Sequence, residues 1–131
     1  MAAPKVLISD KLDPLAVEIF NRKGVETDFK TGLKPDELKS IIGKYDGLAV
    51  RSETKVTADI ISAAKSLKVV GRAGIGVDNV DIPKATEAGI VVMNTPFGNS
   101  ITTAEHAIAM MVALARDIAA ANASTHAGKW E

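Results

Sequence analysis

Apolar residues in this chain fall in short runs, and between the runs lie polar stretches with helical spacing. Residues 5–9, Lys-Val-Leu-Ile-Ser, are β-branched and apolar enough to read as a buried strand. Asp13 and Pro14 then offer an N-cap and a first-turn proline. Leu15, Ile19 and Phe20 share one helical face, and Gly24 ends that helix. The same alternation repeats. Residues 25–29 are a weaker strand; Pro35 with Leu38, Ile41 and Ile42 marks a helix closed by Gly43; residues 47–50 are a third strand. Residues 57–67 carry Ile60, Ile61 and Ala64 on the inner side of a third helix, followed by a strand at 68–71. A short helix at 81–88 ends at Gly89 and leads into a fifth strand at 90–93. From about residue 100 to 123 runs one long helical pattern. Thr102 and Glu105 have the spacing of a capping box, and Ile101, Ile108, Met111, Val112, Ala115 and Ile118 form an apolar stripe.

Five strand–helix alternations with continuous apolar strands predict a parallel sheet buried on both faces by helices. Right-handed crossovers make this a doubly wound α/β domain. The expected division is residues 1–99 for the sheet domain and 100–131 for the long helix and the link beyond it.

Composition narrows the function. The chain has 131 residues, 47% of them hydrophobic and 24% charged, which suits one globular domain with a real core. Sixteen basic residues balance sixteen acidic ones and are scattered, so nothing points to nucleic acid or an anionic membrane. There is no cysteine for a disulfide or thiolate metal site, and the two histidines, His106 and His126, lie far apart. No signal-peptide pattern precedes residue 5, and no apolar run approaches the roughly 18 residues of a membrane span. The expected location is cytoplasmic, without metal.

In an open parallel sheet, ligands bind beyond the carboxyl ends of the strands. Arg51-Ser52 follows the third strand, Arg72-Ala-Gly74-Ile75-Gly76-Val77-Asp78-Asn79 the fourth, and Asn94-Thr-Pro-Phe-Gly-Asn99-Ser100 the fifth. Arg51 carries a forked cation suited to carboxylate or phosphate, and Ser52 adds a hydroxyl. Gly74 and Gly76 let backbone N–H groups approach an anion, and Asn99 with Ser100 opens a helix whose free N–H groups favour one. Each residue has a plainer reading. Arg51 can be a solvated charge, Arg72 can pair with Asp78 or Asp81 and brace its loop, Ser52 can cap a turn, and Asn99 can be an N-cap. The pattern Gly74-x-Gly76-x-x-Asn79 is not a dinucleotide fingerprint: the third glycine is missing, and it follows the fourth strand rather than the first. His106 beside Glu105 is not an acid–base pair, because helical neighbours do not face each other.

Val50-Arg51-Ser52, the run from Val69 to Asp81, Met93-Asn-Thr-Pro96 and Gly98-Asn-Ser100 with Ala104-Glu105 resemble the D-isomer-specific 2-hydroxyacid dehydrogenases, from about Lys5 to Gly128 and the residues after it. The resemblance implies a flavodoxin-like substrate domain, with a separate Rossmann domain that binds NAD. It implies hydride transfer between NAD and a small anionic 2-hydroxy or 2-oxo acid. It assigns Arg51, Ser52, Gly74, Gly76, Val77 and Asn99 to substrate and Ile75 and Thr103 to the cofactor cleft. Relatives can carry Thr at the position of Ile75, where a hydroxyl contact would be lost here. It also implies a long interdomain helix and a homodimer or higher homo-oligomer. The family's catalytic Arg, Glu and His and its fingerprint have no counterpart in these residues, so the chain alone is expected to be inactive. The rival readings are a reductase of the same family acting on glyoxylate or hydroxypyruvate, and a flavodoxin-like regulatory module. The latter lacks the expected acidic cluster, since Asp10 stands alone.

Overall fold

The computed structural model describes residues 2–130 and contains β1 (Lys5–Ile8), α1 (Pro14–Arg22), β2 (Glu26–Phe29), α2 (Pro35–Ile41), a 3-10 turn (Ile42–Lys44), β3 (Gly47–Val50), α3 (Ala58–Ala63), β4 (Val69–Arg72), α4 (Ile82–Glu87), β5 (Val91–Asn94), α5 (Ser100–Ala115) and α6 (Ile118–His126). The chain divides into two compact units, one up to Pro96 and one from Phe97 on.

The first unit is a five-stranded parallel sheet in the order β2-β1-β3-β4-β5. This is the flavodoxin-like doubly wound order, and its direction reverses between β1 and β3. Local signals set the helix ends. Asp13 accepts from the Leu15 N–H at 2.9 Å with Pro14 in the first turn, and Asp81 accepts from the Lys84 N–H at 3.0 Å. Gly24 and Gly89 leave α1 and α4 at φ of 72° and 69°, a conformation that only glycine adopts cheaply. Gly43 does not stop α2 in this way. It lies inside the 3-10 turn, and a Cβ there would stand 3.1 Å from the Ala63 carbonyl, so it serves a close approach to α3. The third helix is shorter than its apolar pattern, ending at Ala63, although Ala64 and Leu67 remain buried.

Burial is asymmetric. Leu7, Leu48, Val50 and Val70 are fully covered on the side where α2 packs on α3 and α3 on α4. Alternation sends Ala49, Gly71 and Met93, register partners across β3, β4 and β5, to the other face. There Ala49 and Gly71 are half-buried, and Met93 and Val91 are 54% and 58% exposed. The expectation of a sheet buried on both faces therefore holds for the centre and fails at the edges. β2 carries Thr27 and Asp28, and β5 has neither a further strand nor a full helical cover. The shared face of α1 is likewise open, with Leu15 and Ile19 about half exposed.

The second unit departs most from the sequence pattern. The single long helix is two helices bent by 61°, broken at Arg116 and at Asp117, which takes a left-handed φ of 49°. Asn99 occupies the N-cap position of α5 without a side-chain cap bond, so Thr102 lies inside the helix and no capping box forms with Glu105. The apolar positions are not one stripe. Ile101, Ile108, Met110, Met111, Val112 and Leu114 are all more than half exposed. Among the described residues no single helix is long and apolar enough to cross a membrane, although α5 and α6 together reach that length and composition.

Candidate functional site

The carboxyl end of β1 meets that of β3 where the strand order reverses, which is where such sheets place ligands. β1 continues into Ser9 and Asp10, both buried. The Asp10 carboxylate accepts the backbone N–H of Arg51 at 2.6 Å and of Thr54 at 3.1 Å, and also the Thr54 hydroxyl, which lies 2.9 Å from the Ser9 hydroxyl. These bonds curl residues 51–54 into a tight turn directly after β3.

From the other side the loop after β4 closes on the same turn. The Asn79 amide donates to the carbonyls of Arg51 and Thr54, both at 2.7 Å. Val56 and Val80 form a parallel bridge, with Val56 N–H on the Asn79 carbonyl at 2.8 Å and Asp81 N–H on the Val56 carbonyl at 2.9 Å. Arg72 Nε donates to the Arg51 carbonyl at 3.3 Å. Among the described residues Arg72 forms no ion pair with Asp78 or Asp81, so it braces the loop through a carbonyl rather than a carboxylate. Its guanidinium lies against the glycine turn: a Cβ at Gly74 would stand 2.5 Å from Arg72 Nη1, and one at Gly76 3.0 Å from Asp78 Oδ1. The third loop joins in. Thr95 N–H donates to the Gly74 carbonyl at 2.9 Å and Asn94 Nδ2 to the Ile75 carbonyl at 2.8 Å.

The result is one stitched rim carrying Arg51, Ser52, Gly74, Ile75, Gly76 and Val77. Arg51 and Ser52 are exposed. The guanidinium makes only a 3.5 Å contact with the Lys11 carbonyl and belongs to no ion pair among the described residues. The backbone N–H groups of Ser52, Ile75, Gly76 and Val77 find no acceptor among those residues. An unpaired cation and undonated N–H groups carried on one rim are each suited to a carboxylate or phosphate oxygen. Asn99 and Thr103 belong to the second unit, where Thr103 N–H donates to the Asn99 carbonyl at 2.9 Å. The rim is open: a groove of about 590 Å³ beside it is lined by Val56, Asp78, Asn79 and Asp81, not by Arg51 or the glycines.

Sequence reasoning passed over Asp10, Thr54 and Asn79. The available signal was a lone acid directly after an apolar central strand, where burial requires partners. His106 is exposed on α5, and His126 Nδ1 lies 3.0 Å from the Asn122 carbonyl one turn back.

The opposite end of the sheet is chemically closed. Tyr45 donates to Asp28 at 2.7 Å and Lys5 pairs with Asp28 at 3.1 Å. The Asp46 carboxylate accepts Lys5 N–H at 3.0 Å and pairs with Lys68 at 2.9 Å. The Tyr45 hydroxyl, followed by Lys5, holds the Asp28 carboxyl below its ordinary value. The Lys5 N–H, followed by Lys68, does the same for Asp46. Burial first, and the Asp28 bond second, push the Tyr45 hydroxyl up to about 12.

Residues 6–129 match the family model of the D-isomer specific 2-hydroxyacid dehydrogenase catalytic domain, and the chain belongs to that family. Among curated relatives, the D-3-phosphoglycerate dehydrogenase of Archaeoglobus fulgidus is 51% identical over 127 residues, 97% of this chain and 24% of that protein. The Homo sapiens D-3-phosphoglycerate dehydrogenase is 54% identical over 127 residues, again 97% of this chain and 24% of its own length. The crystal structure of NAD+-bound 3-phosphoglycerate dehydrogenase from Entamoeba histolytica superposes with a TM-score of 0.76 at 34% identity, covering 86% of this chain and 39% of that one. The chain thus spans about a quarter of the length of these curated relatives.

The residues present suit only one edge of a dinucleotide. The turn after β1, where a dinucleotide-binding sheet holds pyrophosphate, contains the buried carboxylate of Asp10 and no glycine, so this sheet does not take the diphosphate. The turn after β4 does offer a surface, with Ile75 43% exposed beside unpaired N–H groups.

Proposed function

We propose that this chain is the substrate-binding part of an NAD-dependent oxidoreductase that acts on 3-phosphoglycerate, the entry reaction of serine synthesis. The single observation that carries the reading is the rim itself: an Arg51 guanidinium without a counter-ion among the described residues, on a turn stitched to the loop where Ile75, Gly76 and Val77 keep undonated N–H groups. The names of the relatives support the choice of acid.

In this reading residues 1–99 are the substrate domain and residues 100–131 the helical link to a cofactor domain. Arg51 and Ser52 hold an anionic end of the acid. The backbone N–H groups of Gly76 and Val77 hold the carboxylate next to C2, and Gly74, whose own N–H donates to the Arg72 carbonyl at 2.9 Å, shapes the turn that presents them. Asn99 adds a substrate contact, and Ile75 and Thr103 line the cofactor side. When bound, NAD would supply the acceptor for the hydride on C2. The chain's own contribution is binding and orientation: two anchors for anionic groups on one rim fix the direction of C2 relative to the turn. The enzyme works in the cytoplasm as a homodimer or higher homo-oligomer.

The test is Arg51→Ala in the complete enzyme. A raised KM for 3-phosphoglycerate with unaltered KM for NAD is expected. Unchanged KM for the acid, or higher turnover on glyoxylate or hydroxypyruvate than on 3-phosphoglycerate, would sink the reading.

A further inference from the structure

We infer that Asn79, working with Asp10, is a positioning residue that sets substrate affinity by holding the Arg51–Thr54 turn, without itself touching the acid. The inference rests on the reading of Arg51 as the anion anchor. Asn79 is buried at 7% exposure, and its one amide nitrogen donates to the first and last carbonyls of the turn, Arg51 and Thr54. Asp10, at 2% exposure, accepts the N–H groups of those same two residues. The ends of the turn are therefore gripped through both polar groups of the backbone, one by an amide from the β4 loop and one by a carboxylate from β1. Ser52 and Glu53, between the grips, keep their N–H groups undonated among the described residues.

Residue chemistry makes the grip specific. Two carbonyl oxygens converging on one atom require two N–H bonds on that atom, which an amide nitrogen supplies and a carboxylate or hydroxyl does not. The arrangement is kept even though Asn79 Oδ1 is buried with no partner among the described residues, a costly state for an acceptor. A plain brace for the fold would be met equally by the Val56–Val80 bridge already present. The added amide grip fixes the residue that carries the cation, and fixing an anchor before binding removes an ordering cost from the affinity.

The experiment is a double-mutant cycle on the complete enzyme, read in the steady state with 3-phosphoglycerate and NAD. Asn79→Ala is expected to raise KM for the acid about tenfold, within the coupling typical of contacting residues, with KM for NAD unmoved and a smaller change in kcat. In an Arg51→Ala background the same substitution should then raise KM no further, because the group it positions is gone. Thr54→Val and Asp10→Asn, read in the same cycle, serve if Asn79→Ala fails to fold. An Asn79 or Asp10 variant that lowers thermal stability with KM unchanged overturns the inference, as does an effect on KM undiminished in the Arg51→Ala background. If Arg51→Ala alone leaves KM unchanged, the anchor reading fails first, and the inference falls with it.

Discussion

The two ends of the sheet use their polar and charged side chains to opposite ends. At the amino end Lys5, Lys68, Asp28 and Asp46 are paired with one another, and Tyr45 closes the cluster. At the carboxyl end the buried polar groups Asp10 and Asn79 direct most of their bonds to backbone, and the exposed Arg51 has no counter-charge among the described residues. Internally neutralised charge serves stability, while the unneutralised charge is available to a ligand.

Mutations should separate the two ends. The largest effect expected is on binding. Arg51→Ala should raise KM for the acid roughly 10- to 100-fold, the range for losing a hydrogen bond to a charged group. The melting temperature should hold, since Arg51 is exposed, and a drop in it would blur the distinction between the ends. Tyr45→Phe should do the reverse: a stability loss of about 1.5 kcal/mol in urea titration, with KM unmoved.

Next comes pH. Asp28 and Asp46 stay ionised in the folded chain below the ordinary value of 3.8, so the stability they contribute is present above that value and is lost as pH falls through their folded values. Tyr45 behaves oppositely. Its proton is held to about 12 rather than 10.0, so its contribution is intact below 10.0 and declines as pH rises from there to about 12. Urea midpoints measured against pH should show both limbs, and Tyr45→Phe should flatten the alkaline one. The smallest effect belongs to Lys68→Met. Its partner pair is largely exposed, at 77% and 31%, so the midpoint should shift only slightly, and less in high salt.

Much of this was legible in the chain. Short continuous apolar runs located all five strands to within a residue or so, and Asp13-Pro14 and Gly89 marked true helix ends because capping is a local affair. Arg51 and the Gly74–Gly76 turn were singled out because they follow strand ends, and the structure joins the two segments in one rim. Asp10 and Asn79 were missed because their partners lie 41 and 28 residues away, a pairing that only the strand order reveals. The single long helix was misjudged for a related reason. Residues 100–123 are helical by pattern, but nothing in that pattern shows that Asp117 turns left-handed.

That one backbone twist governs how far the second unit reaches. Straightened, the 27 residues from Ser100 to His126 would make a rod of about 40 Å; as an elbow of one long and one short limb bent at 61°, the span shrinks to about 33 Å. Aspartate tolerates this conformation better than most side chains, so a single position acts as the corner piece that decides between lever and crook.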